Sequence, residues 1–105
     1  MVDQLDLQKK ILEKLSTVLD PETGADVIRM RLVQDMQIDA SGHVSYFFRP
    51  SSPLCPLAVP LAIRITEAIS EVSGVSSQRI TVVDYVEADQ LNEMLKSMLE
   101  ESREG

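Results

Sequence analysis

The sequence predicts one α/β (α+β) domain in the order αββαβα, with a small three-stranded mixed sheet packed with helices. Three observations carry this prediction. Apolar residues recur at helical spacing in three segments and alternate in three others. A four-residue loop containing glycine joins the first two alternating segments, which makes them a hairpin. A helical segment leads from the second alternating segment to the third, so those two strands should run in parallel. At 105 residues the chain has room for one modest core, and the domain spans 1–105.

From Leu5 to Leu19, the residues Leu5, Ile11, Leu12, Leu15, Val18 and Leu19 mark the first helix. Gln8, Lys9, Lys10, Glu13 and Lys14 occupy its other faces, and Asp3 is placed to cap it. Pro21 stops the helix at or before Asp20, because the residue before a proline avoids the α region. The run Asp20-Pro21-Glu22-Thr23-Gly24-Ala25-Asp26 has loop chemistry and holds three carboxylates in seven residues. On composition alone it is an acidic turn, with Asp20 bonding nearby backbone N–H groups. Val27-Ile28-Arg29-Met30-Arg31 fits a helical turn or an extended lead-in equally well.

Leu32 to Ile38 alternates as a strand, with Leu32, Met36 and Ile38 on one face. Asp39-Ala40-Ser41-Gly42 is the hairpin loop, where Gly42 is free to take positive φ. His43 to Arg49 is the second strand. Val44, Tyr46 and Phe48 point one way, and Ser45, Phe47 and Arg49 the other. Large apolar groups on both sides predict that each face is at least partly covered. Leu57, Leu61, Ile65, Ala68, Ile69 and Val72 then form a helical stripe, which Gly74 should end. Pro60 requires the helix to begin near it or to have a distorted first turn. Arg79 to Tyr85 is the third strand, with Ile80 and Val82 opposed to Val83. From Ala88 onward Leu91, Met94, Leu95, Met98 and Leu99 mark the last helix, and residues 100–105 read as a frayed polar tail.

Composition narrows the function. The formal net charge of −7 argues against nucleic-acid and anionic-membrane partners, which bind through Lys and Arg. No apolar run approaches the roughly 18 residues needed to span a bilayer. The opening Met1-Val2-Asp3-Gln4-Leu5-Asp6 lacks the regions of a signal peptide, so a cytoplasmic setting is expected. With one cysteine there is no intramolecular disulfide.

That cysteine, Cys55, sits in Ser51-Ser52-Pro53-Leu54-Cys55-Pro56-Leu57, with a proline following it and another two residues before. Prolines restrict the local chain, and the stretch leads from a strand into a helix. A thiol at a helix N-terminus meets unpaired N–H groups and the positive end of the dipole, which favour the thiolate. The competing reading is a small packed hydrophobe, the usual state of a free cysteine. His43 is the sole histidine and sits at a hairpin edge, so no His-and-carboxylate constellation for hydrolysis is legible. Zinc needs about four ligands and an iron–sulfur cluster normally several cysteines, so a stable metal site within one chain is not expected.

Two segments carry a resemblance. Val18-Leu19-Asp20-Pro21-Glu22-Thr23-Gly24-Ala25-Asp26-Val27-Ile28, followed by Leu32-Val33-Gln34-Asp35-Met36, and then the Ser51–Leu57 run, resemble the metal–sulfur cluster biosynthetic family. This is the SufT-like and PaaD-like group, also known as domain of unknown function fifty-nine. The likeness covers roughly Leu7 to Asp84, and the two loops together are specific where either alone is weak. Leu54 and Arg31 stand where the family often has glycine, Pro60 interrupts the helix that follows, and the tail lacks the family's Pro-Pro-Trp-like segment. The chain therefore resembles a divergent member.

The resemblance implies an iron–sulfur-cluster-assembly-like fold and a non-enzymatic accessory or targeting role in maturing iron–sulfur proteins. It implies Cys55 as the functional thiol and transient metal ligand, with Asp20, Glu22, Ser51 and Ser52 as supporting loop residues. No cofactor would be held tightly; iron or an iron–sulfur cluster would bind transiently. The implied partners are assembly proteins or client apoproteins, and a homodimer is compatible with this. Two alternatives stand beside it. One is a non-catalytic protein-binding module in which Cys55 merely packs. The other is a PaaD-like accessory subunit of a multicomponent oxygenase pathway.

Overall fold

The computed structural model describes residues 4–20, 23–50, 54 and 57–104, with side chains through Leu99. Its elements are α1 (Gln4–Leu15), β1 (Val33–Ile38), β2 (His43–Phe48), α2 (Ala58–Ser70), β3 (Ser77–Val82) and α3 (Ala88–Glu104). The expected αββαβα order and mixed sheet are both present. The sheet runs β1-β2-β3, with β1 antiparallel to β2 and β2 parallel to β3.

One sheet face carries the core. Val44, Tyr46 and Phe48 of β2 and Ile80 and Val82 of β3 are buried against Leu7, Ile11 and Leu15 of α1 and Leu61, Ile65 and Ile69 of α2. The first helix is shorter than the Leu5–Leu19 stripe, and its inward face uses Leu7 rather than Leu5, which is 79% exposed. Asp3, the expected cap, lies outside the described residues. The Tyr46 hydroxyl donates to Gln78 Oε1 at 2.8 Å, and Gln78 Nε2 donates to the Thr66 carbonyl at 2.9 Å. Burial pushes the Tyr46 phenol far above its ordinary range, so it stays a neutral donor.

The opposite face is partly covered, in line with β2's alternation: Ser45 and Thr81 are half-buried and Phe47 is 40% exposed. α3 packs on β3. The amide of Asn92 reads the outer edge of that strand: its Oδ1 accepts from the Val82 N–H at 2.6 Å and its Nδ2 donates to the Val82 carbonyl at 3.1 Å. A side-chain amide thus takes the place of a fourth strand at this point.

Further boundaries differ for physical reasons. β1 contains a bulge: Gln34 pairs with Phe47 but Gln37 with Ser45, and Asp35 takes φ +52 to absorb the extra residue. β3 lies earlier than Arg79 to Tyr85, because Asp84 at φ +53 turns the chain out of the sheet. α2 starts at Ala58 despite Pro60. That proline is the third helical residue, where the missing N–H would have had no acceptor inside the helix. α2 ends at Ser70, four residues before Gly74, through a turn in which Val72 N–H bonds the Ile69 carbonyl. α3 runs to Glu104, so residues 100–104 continue the helix rather than fray as a tail.

Candidate functional site

The Asp20 loop closes on itself by backbone bonds. Asp20 N–H donates to the Ala25 carbonyl at 2.9 Å, and Gly24 N–H returns to the Asp20 carbonyl at 2.7 Å. Gly24 takes φ +75, which glycine adopts without a Cβ penalty. Leu19 and Asp26 form an antiparallel bridge below, and Val27 N–H bonds the Val18 carbonyl at 3.1 Å. Asp20 is only 4% exposed, unusual for a loop carboxylate. The ambiguous segment after it is a turn. Asp26 Oδ1 accepts from Arg29 N–H at 2.7 Å, and Arg31 ends the turn at φ +59.

This loop is wired to the end of β2. Leu32 N–H bonds the Val27 carbonyl at 3.0 Å, and Arg49 N–H bonds the Leu32 carbonyl at 2.8 Å. A continuous backbone path therefore leads from the Asp20 loop across Val27 and Leu32 to Arg49, where the chain enters the cysteine-bearing segment. At the same end Arg49 Nε meets Asp84 Oδ2 at 3.0 Å, tying β2's exit to the turn after β3. Both partners are more than half exposed, so the pair orients the ends rather than adding much stability.

Of the expected site residues, Asp20 is placed at this end of the sheet. Glu22, Ser51, Ser52 and Cys55 lie outside the described residues. The segment's described neighbours are a buried Pro50, an exposed Leu54, and Leu57 at the N-cap of α2. Leu57 supplies no side-chain cap, and the first turn of α2 holds no acidic residue. The helix N-terminus that follows Cys55 by three positions keeps its positive end uncompensated by side chains in that turn.

His43 is not part of this end. It opens β2 at the opposite end of the strand, where its Nδ1 lies 2.7 Å from Ser77 Oγ. Among the described residues no group of three or more His, Cys, Asp or Glu is arranged to hold a metal ion. Two features escaped the sequence reading: the Asn92 clamp and a groove beside β3 that holds Arg79 and Lys96. Neither follows from periodicity, since each depends on where α3 docks.

The family and the fold are shared with known proteins. A family model described as iron–sulfur cluster assembly protein matches residues 8–82, a span that contains both loops. The uncharacterized protein MJ1129 of Methanocaldococcus jannaschii is 33% identical over 89 residues, covering 85% of this chain and 94% of that protein. The Fe-S protein maturation auxiliary factor YitW of Bacillus subtilis is 29% identical over 77 residues, covering 73% of this chain and 76% of that protein. Among solved structures, a domain of unknown function DUF59 from Bacillus anthracis superposes with a TM-score of 0.70 at 26% identity, covering 76% of each chain.

Proposed function

The chain belongs to the iron–sulfur cluster assembly protein family, and from that premise we propose that it is an accessory or targeting factor in the maturation of iron–sulfur proteins, acting through the Cys55 thiol. The observation that carries the reading is the backbone path from the buried Asp20 loop to Arg49, after which the sequence runs on into the Ser51–Leu57 segment. The similarity to a relative named as a maturation auxiliary factor supports it.

The chemistry follows from the donor set. Cys55 binds a soft metal as the thiolate, so the thiol proton is released when iron or a nascent cluster arrives. The N-terminus of α2, whose first turn holds no acidic residue, favours that anion. Asp20 or Glu22 serves as a hydrogen-bond partner or hard oxygen ligand, and Ser51 and Ser52 support the loop. One thiolate cannot hold a cluster unaided, so the metal is cargo in transit between this protein and an assembly protein or client apoprotein. The protein performs no turnover of its own and works in the cytoplasm. No described helix is long and apolar enough to cross a membrane.

Alkylation of Cys55 by iodoacetamide, followed against pH with and without ferrous iron, tests this reading. The expected thiol reacts at pH values below the ordinary cysteine range and is protected by iron. A slow, iron-insensitive thiol with an ordinary titration would mean that Cys55 only packs.

A further inference from the structure

Among the described residues, the hydrogen bonds to the outer edge of β3 fall on Val82. Val83 N–H bonds the Phe48 carbonyl, which turns the odd-numbered residues of β3 toward β2 and the even-numbered ones outward. Of the outward peptide groups, Val82's are satisfied by Asn92. Those of Gln78 and Ile80 have no such clamp among the described residues. Natural sheets protect bare edges with bulges, prolines or charges. β1, at the other side of the sheet, has its bulge at Asp35. The Gln78–Ile80 stretch carries neither bulge nor proline, and its one charge is Arg79.

What faces this edge is a groove of about 430 Å³ between β3 and α3. Its lining includes His43, Arg79 and Thr81 from the sheet and Glu93, Lys96 and Leu99 from α3. In a chain of net charge −7 the groove runs the other way, with two permanent cations against one carboxylate. Lys10, Lys14 and Arg49 each have a carboxylate within ion-pair distance, whereas Arg79 and Lys96 have none among the described residues.

We propose that the groove between the outer edge of β3 and α3 binds an extended, carboxylate-bearing segment of a partner protein as an added strand. The outward peptide groups of Gln78 and Ile80 supply the ladder, Asn92 marks where it stops, and Arg79 and Lys96 select the charge. At about 3.3 Å per residue, the two open positions and their flanks accommodate roughly three or four residues. The maturation reading contributes only the partner's identity as a client or assembly protein. The groove itself needs neither metal nor Cys55.

The test uses the full chain, nitrogen-15 labelled, with pooled hexapeptides carrying Asp or Glu at alternate positions and apolar residues between. A matching pool with Lys and Arg is the control. The acidic pool is expected to shift the Gln78 and Ile80 amide resonances and slow exchange of the Ile80 amide, while the basic pool does neither. Arg79→Gln with Lys96→Gln should weaken binding about tenfold, the combined effect of two exposed charge contacts. Raising the salt from about 0.05 to about 0.5 M should weaken binding to the unmodified chain similarly, a readout independent of any variant. Cys55→Ser should leave binding unchanged, which separates this proposal from the thiol's role. No binding by the acidic pool, equal binding of both pools, or binding without protection of the Ile80 amide would each overturn it. So would sedimentation showing a second copy of the chain in the groove.

Discussion

Replacing Asn92 by leucine probes how α3 is held to the sheet. Leucine is near asparagine in size but cannot bond the Val82 peptide. Two bonds are lost, at 2.6 and 3.1 Å, from a residue that is 2% exposed. A buried backbone group left unsatisfied costs about 1–3 kcal/mol. Asn92 lines the adjoining groove, so the sum falls in the lower half of the roughly 2–6 kcal/mol that two such groups span, about 2–4 kcal/mol for the pair. Urea unfolding should show a lower midpoint at unchanged slope, and native-state exchange of the Val82 amide should accelerate. Asn92→Asp should also destabilise. Its carboxylate accepts from the Val82 N–H but faces the Val82 carbonyl with a second acceptor. A loss below about 0.5 kcal/mol for leucine, with Val82 exchange unchanged, would refute the reasoning, because α3 would not be seated on the strand edge.

Three further predictions concern turns, two in the hairpin and one in the Asp20 loop. At Gly42, φ is +90 and a Cβ would collide with the Gly74 backbone carbonyl, so Gly42→Ala should cost about 2–4 kcal/mol by thermal or urea unfolding. Gly24→Ala, at φ +75 with open space around it, should cost only the backbone term of about 1 kcal/mol. Asp39 Oδ1 accepts from Ser41 Oγ, Ser41 N–H and His43 N–H, and these bonds, that of the Ser41 hydroxyl foremost, hold its carboxyl below the ordinary value of 3.8. A depressed folded pKa adds stability above pH 3.8 that is lost as pH falls through the folded value. Asp39→Ala should therefore flatten the acid limb of the stability curve in that window and leave its shape near pH 7 unchanged. An acid limb of unchanged steepness in the variant would contradict this.

The element order was legible because each periodic segment buries one stripe or face, as at Val44, Tyr46 and Phe48. Where sequence and structure part, a residue obeys geometry rather than pattern. Asp35 and Asp84 adopt positive φ without being glycine, so the bulge and the early end of β3 leave no local signature. Leu5 and Leu7 are equally apolar, and only the crossing of α1 over the sheet decides which is buried. Of the site, Asp20 was legible through its loop chemistry, and its burial was not. The links through Val27 and Leu32 join that loop to Arg49, a residue distant in sequence.

The proposed role is assistance to iron–sulfur maturation through one thiol. Transfer of an iron–sulfur cluster to an apoprotein client, followed by the visible absorbance of the client, tests it most directly. Wild-type protein should raise the yield or rate of the matured client. Cys55→Ser, with its urea midpoint unchanged, should lose that effect. Full assistance by the folded serine variant would contradict the account.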